Sequence, residues 1–317
     1  MSSYRIIDRL KIDSAAERQA LIDGLFAQPA TIPPKYFYDE LGCALFCAIC
    51  ELPEYYPTRT EVSIFRDHRQ EISTAVGTGK QVVDLGAGDC CKAASWLPYF
   101  QPHRYLAVDI ARAPINKALS ALAPEFPEIE MTGIVTDFAR TLELHGDLDD
   151  LPATFFYPGS SIGNFTPDEA LAFLQRIRAH CTRPGSGLLI GVDAKKNREA
   201  LESAYDDAVG VTAAFNRNVL VHVNRLLGSD FRANDFAHLS FYNEAAGRIE
   251  MHLEALSNQR VTIAGRVREF SGGERIHTEN SYKYSPAEFE TLLHRAGFGR
   301  IQLWQDADRR FSVFYAD

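Results

Sequence analysis

VVDLGAGDCCK, Val82 to Lys92, sets a β-branched run against a glycine turn and the start of a helix. Gly86 and Gly88 permit a sharp turn and a close approach of backbone to a ligand, and the helix that follows is expected to offer free N–H groups. A plain strand-to-helix turn would read the same way, so the neighbouring strand ends decide. A dinucleotide fingerprint requires a third glycine where this chain has Cys91, which counts against NAD. Asp109 closes the next strand, about 20 residues on, where a carboxylate can hold ribose hydroxyls. Asp137 and Phe138 close the third, where an acid and a ring can hold adenine by hydrogen bonding and stacking. Three successive strand ends furnished in this way point to S-adenosylmethionine.

Outward from this turn, QVVDLG (81–86), RYLAVD (104–109), EIEMTGIVTDF (128–138), ATFFYPG (153–159) and GLLIGVDA (187–194) read as strands. Helical patterns separate them, one over about 90–100 and one in TPDEALAFLQRIRAHC, with Thr166 as N-cap and Pro167 at the first helical position. Such alternation predicts a parallel sheet with right-handed crossovers. SPAEFETLLHRAGF (285–298) adds a helix, and RIQLWQD and RRFSVFYAD a closing hairpin. The predicted fold is α/β: the Rossmann-like sheet of a class I methyltransferase, seven-stranded with a C-terminal antiparallel hairpin, plus a second α+β substrate domain. Residues 1–60 lie outside the sheet pattern, as do 196–284, where FAHLSFYN, GRIEMHLEAL, RVTIAGRVREF and ERIHTENSYKY read as antiparallel strands with turns at AAG, SNQ and SGG. The predicted division is 61–195 with 285–317 for the cofactor, and 1–60 with 196–284 for the substrate. The fourth strand runs into YPGSSIGN (157–164). There Gly159 and Gly163 are expected to make room for methyl donor and acceptor, and Asn164 to orient an amine. A tight loop whose Asn caps a turn is the bland alternative.

The composition narrows the class. With 317 residues, 46% apolar and 24% charged, the chain has the make-up of a folded soluble protein. No stretch approaches the roughly 18 apolar residues of a membrane span, and MSSYRIIDRLKIDSAAERQ has no apolar signal region, so a cytoplasmic location is expected. A net charge of −9 without any basic run weighs against nucleic acid. A monomer acting on a small molecule is expected. Cys43, Cys47 and Cys50 have the spacing of radical enzymes that bind an iron–sulfur cluster and also use S-adenosylmethionine. Leu41, Ala44, Leu45, Ala48, Ile49 and Leu52, however, recur at helical spacing, which predicts thiols along a helix rather than a loop wrapped around iron. No metal is expected.

KYFYDELGCALF, ELPEYYPTRTE, YPGSSIGNF, AYDDAVGVTAAFNRN and RIHTENSYKY together resemble the histidine-specific Nα-methyltransferases that make hercynine on the way to ergothioneine. The resemblance runs in order over nearly the whole chain. It implies that Gly86, Gly88, Lys92, Asp109, Asp137 and Phe138 bind S-adenosylmethionine. It further implies that Tyr55, Asn164 and Tyr205 hold the amino and carboxylate groups of L-histidine, with Tyr38 in the same pocket. Glu279 and Ser281 would read the imidazole, with Met251 near the ring. Strand alternation alone would leave Glu279 and Ser281 facing water. The chemistry implied is transfer of methyl to the α-nitrogen, with Tyr38, Tyr55 and Asn164 orienting the amine. A methyltransferase acting on another amino acid or imidazole compound is the main alternative, ahead of a radical enzyme or a non-catalytic binding module.

Overall fold

The computed structural model describes residues 4–10, 14–144 and 146–317. Its strands in chain order are β1 (Arg5–Asp8), β2 (Ala30–Thr31), β3 (Gln81–Leu85), β4 (Arg104–Asp109), β5 (Glu130–Val135), β6 (Ala153–Tyr157), β7 (Gly187–Asp193), β8 (Phe236–Asn243), β9 (Arg248–Ala255), β10 (Gln259–Ile263), β11 (Arg266–Phe270), β12 (Arg275–Tyr282), β13 (Ile301–Gln305) and β14 (Phe311–Ala316). Eight of them form one sheet in the order β1-β5-β4-β3-β6-β7-β14-β13. β3 to β7 pair in parallel, β14 runs antiparallel to β7, and β13 antiparallel to β14. This is the class I methyltransferase layout. β3, β6, β7 and β14 are buried along their whole length, which is why they read as unbroken apolar runs. The direction of winding reverses between β3 and β6, so their C-terminal ends frame the crevice where such sheets bind ligands.

The eighth strand corrects the expectation that residues 1–60 lie outside the sheet. β1 pairs in parallel with β5, Arg5 opposite Thr132 and Asp8 opposite Val135. Four residues with charged ends are too short an alternation to stand out. Gly133 makes the pairing possible, since a Cβ there would fall 2.5 Å from Ile6 Cδ1 and 2.6 Å from Ile115 Cγ2. The expectation for residues 1–3 and 11–13 lies outside the described residues.

Two apolar cores cover the sheet. Phe155, Tyr157, Phe173 and Phe289 belong to one, and Ile72, Trp96, Phe156 and Val313 to the other, as side-chain alternation along β6 requires. Thr166 and Glu169 form a capping box at the helix Pro167–His180, and Ser285 and Glu288 another at Pro286–Arg295. The stretch 90–100 is two short helices, Cys91–Ala94 and Leu97–Phe100, with Pro98 starting the second.

A third core holds the remainder. It joins the helices Glu40–Cys50 and Val211–Leu227 to the sheet β2-β12-β9-β8. RVTIAGRVREF, predicted as one strand, is the hairpin β10–β11. Ala264 and Gly265 both take positive φ, 50° and 80°, the conformation of a two-residue primed turn. Cys43, Cys47 and Cys50 lie on one helix, as their apolar neighbours predict. Among the described residues their thiols do not converge as a ligand trio.

Candidate active site

After β6 the chain turns at Gly159 (φ 80°) and Ser160 (φ 59°) and makes a single 3-10 turn, Ser161–Asn164. Ser160 Oγ accepts the N–H of Asp193 at 2.8 Å, tying this loop to the end of β7. A Cβ on Gly163 would stand 2.7 Å from the Tyr282 carbonyl oxygen and 3.4 Å from Ser281 Oγ. Gly159 lines the pocket described below, whereas Gly163 serves a close approach of backbone. Gly163 lets the loop press against β12, and Gly159 donates its N–H to Glu61 at 2.7 Å.

That approach closes a pocket lined by Tyr38, Tyr55, Asn164, Tyr205, Glu279 and Ser281, with Phe46, Asp193 and Lys283 in its wall. Tyr38 follows the 3-10 turn Pro34–Phe37, Tyr55 caps the helix Tyr56–Asp67, and Glu279 and Ser281 are alternate residues of β12. Edge-on ring contacts fix the tyrosines: Phe46 lies 5.9 Å from Tyr38 and 6.3 Å from Tyr55, and Tyr205 lies 6.1 Å from Tyr55. Among the described residues the hydroxyls of Tyr38 and Tyr55, the Asn164 amide and the Glu279 carboxyl have no side-chain hydrogen bond to the rest of the chain. Unpaired polar atoms converging on a pocket are the mark of a ligand site. Burial pushes the Tyr38 and Tyr55 hydroxyls well above their usual range, so both are neutral hydrogen-bonding groups. Burial also pushes the Glu279 carboxyl up to about 7, with the Lys283 ammonium opposing it.

Met251 is the expected residue that the pocket does not include. It stands opposite Glu279 in the β9–β12 pairing but packs into the third core. At the same C-terminal end of the sheet, Gly86 (φ 70°) and Gly88 (φ 52°) take left-handed conformations. A Cβ on Gly86 would come within 3.6 Å of the Phe138 ring, filling the gap between loop and ring. Asp109 accepts the N–H of Gly88 at 2.9 Å and of Ala111 at 2.8 Å. Burial nonetheless raises its carboxyl above the usual range. Asp137 lies 3.6 Å from the Lys35 ammonium, and Phe138 packs on Tyr157 and Phe173. A glycine cradle faced by an aromatic ring, with carboxylates at the next two strand ends, fits an adenosyl group. The helix after the loop adds less than expected. It is only four residues long, and the Cys91 N–H is taken by Asp89 at 3.0 Å.

Lys92 is paired rather than open. Its ammonium lies 2.7 Å from Glu61, a fully buried residue that sequence reading passed over. Glu61 thus joins the cofactor loop to Gly159 of the acceptor loop, and Gly191 must be glycine because a Cβ there would lie 1.9 Å from Glu61 Oε1. Asp193 and Lys283 were also missed. They form a buried ion pair at 2.9 Å, and Tyr56 donates to Asp193 at 2.7 Å. Burial alone would raise the Asp193 carboxyl, but the ammoniums of Lys283 and Lys196 hold it below the usual range. A signal existed: Glu279, Ser281 and Lys283 alternate and so share one face. On the opposite face, Glu250, His252 and His277 come within 4.8 Å of one another, with Arg248 and Asn243 engaging the Glu250 carboxylate.

Comparison with known proteins gives the same assignment. A histidine N-alpha-methyltransferase of Mycolicibacterium smegmatis is 39% identical over 315 residues, covering 97% of each chain. One from Mycobacterium tuberculosis is 37% identical over 95% of this chain and 94% of its own. Ergothioneine biosynthesis protein 1 of Schizosaccharomyces pombe is 27% identical over 89% of this chain, which spans 38% of that longer protein. The profile of the histidine-specific, SAM-dependent methyltransferases matches residues 17–317. With the sheet order, the glycine cradle and the polar pocket beside it, that match makes the chain a member of the histidine-specific, S-adenosylmethionine-dependent methyltransferase family.

Proposed function

We propose that the chain transfers three methyl groups to the α-nitrogen of L-histidine, giving hercynine for ergothioneine biosynthesis. The observation that carries this reading is the Glu279 carboxyl, unpartnered among the described residues, set beside Ser281 in a pocket shared with Tyr38, Tyr55 and Asn164. Neutral imidazole donates at one nitrogen and accepts at the other, and a carboxylate plus a hydroxyl can satisfy both. An apolar side chain in the same place would leave them unpaired, at a large loss of affinity.

Gly86, Gly88, Asp109, Asp137 and Phe138 hold S-adenosylmethionine, with Lys92 fixing the loop through Glu61. The cofactor supplies a methyl group on a sulfonium, a donor that needs no further activation. What remains for the protein is to present an unprotonated nitrogen in line. Asn164 Oδ1 and the neutral Tyr38 and Tyr55 hydroxyls accept from the amine's hydrogens and aim its lone pair, and Tyr205, donating to Ser281, steadies the wall that faces the ring. Each methylated intermediate sheds a proton to solvent before the next transfer. Residues 61–195 and 285–317, extended by β1, form the cofactor unit, and the rest of 1–60 with 196–284 the acceptor unit. A monomer acting on a small molecule, rather than on a nucleic acid or a membrane, completes the proposal. Among the described residues no helix is long and apolar enough to cross a membrane; we propose a cytoplasmic enzyme. A mass-spectrometric time course with L-histidine should show mono- and dimethyl species converting to the trimethyl product. An end point at one methyl would contradict the proposed product.

A further inference from the structure

Lys283 has no side-chain exposure, and Asp193 beside it has none either. Its ammonium donates to Ser281 Oγ at 2.8 Å and to the Tyr205 hydroxyl at 3.0 Å. The two hydroxyls are themselves 2.8 Å apart, with Tyr205 donating to Ser281. These three groups close a triangle whose hydrogens can be counted. An ammonium has donors only, so Lys283 can take a hydrogen from neither hydroxyl. The side joining the two hydroxyls uses one hydroxyl hydrogen. One hydroxyl hydrogen is always left over and must point out of the triangle. In the recorded arrangement it belongs to Ser281, which lines the pocket beside Glu279.

We propose that Lys283 is a specificity-determining positioning residue: by occupying the lone pairs of Ser281 and Tyr205 it forces a hydrogen-bond donor into the pocket opposite the acceptor Glu279. With Tyr205 donating to Ser281, the wall presents the Ser281 hydrogen on one side and the Glu279 carboxylate on the other. A neutral imidazole, with one N–H and one lone pair, matches it in a single orientation. A ring with an N–H but no lone pair leaves the Ser281 hydrogen facing carbon, and an imidazolium, with two N–H groups, meets donor with donor. Asp193 keeps the lysine in place: it is fixed in turn by Tyr56, by Lys196 and by its N–H bond to Ser160. An uncharged or accepting group at position 283 would leave a lone pair free on each hydroxyl, so that this wall could accept as well as donate. The inference rests on histidine being the acceptor, and its test is separable from a test of that reading.

The experiment compares kcat/KM for L-histidine with those for 3-(pyrrol-2-yl)alanine and 3-(pyrrol-3-yl)alanine. The two isomers keep a ring N–H and between them replace either ring lone pair with C–H. Wild type should favour histidine over the better isomer roughly 5- to 150-fold, the usual cost of a buried donor left unpaired. In Lys283→Met, which has no donor, and in Lys283→Gln, whose amide can accept as well as donate, that ratio should fall several-fold or more. S-adenosylmethionine affinity, measured by calorimetry, should hold and so report an intact fold. The glutamine variant keeps a polar head in case the methionine variant does not fold. Equal losses for histidine and the pyrroles, with the ratio unmoved, would mean that Lys283 merely supports the fold and would overturn the inference. A wild-type enzyme that methylates no histidine would instead overturn the acceptor reading, and this inference with it.

Discussion

Glu279 matters because, among the described residues, its carboxyl has no side-chain hydrogen-bond partner. Burial raises it to about 7, against about 4.3 for a free glutamate, and this has two consequences of opposite use. For binding, the accepting carboxylate is present above about pH 7 and lost below it. The acid limb of the pH profile of kcat/KM for histidine should therefore lose about one unit of slope in Glu279→Gln, while S-adenosylmethionine affinity stays within about twofold. Equal loss of both affinities would make Glu279 a structural residue. For stability, the folded state binds this proton more tightly than the unfolded chain does. Its contribution is fully present below about pH 4 and is lost as pH rises through about 7. Glu279→Gln should accordingly melt higher than wild type at pH 8, with the gap closing toward pH 5 in calorimetric scans.

Strand β12 and the turn Ser161–Asn164 form the element that turns a cofactor fold into an acceptor pocket, and Gly163 is the contact on which they meet. Gly163→Ala sets a Cβ 2.7 Å from the Tyr282 carbonyl oxygen. Backbone there cannot yield cheaply, so we expect about 1–3 kcal/mol of destabilisation by chemical denaturation and a raised KM for histidine. Gly210→Ala is the control for strain without a clash: its φ is 82° but its Cβ would meet nothing within 4 Å. At this scale the sequence was informative where signals were local. Thr166 with Pro167 and the glycines after β3 each named an element. It was silent where partners lie far apart in the chain. Lys283 and Asp193 are separated by 90 positions, and no local pattern pairs them. The same holds for the reason Gly163 is glycine, which lies in the backbone of another element. The hairpin β10–β11 was hidden because Ala264 continues the strand's composition while its backbone leaves the strand.

Across the whole molecule, Glu61 links the two halves of the site. It reaches Lys92 behind the cofactor loop and the Gly159 N–H in the acceptor loop, so one buried side chain sets the spacing of donor and acceptor. Glu61→Gln should keep the Gly159 contact but weaken the hold on Lys92. The expected result is a lower melting temperature and a kcat reduced more than KM is raised, since misplacement by about 1 Å costs up to about 100-fold in rate. The strands of the large sheet were legible except β1, whose four residues carry too little pattern to be seen without β5 beside them. The strands of the smaller sheet were legible in outline, because they interrupt a regular alternation, but its pairing with β2 was not. The most direct test of the central claim is competition. Purified protein and S-adenosylmethionine are incubated with an equimolar pool of the twenty amino acids plus histamine, and every acceptor is followed by mass spectrometry. The account predicts that L-histidine alone is consumed and appears as its trimethylated betaine. Methylation of any other member, or none from protein shown to bind the cofactor, would contradict it.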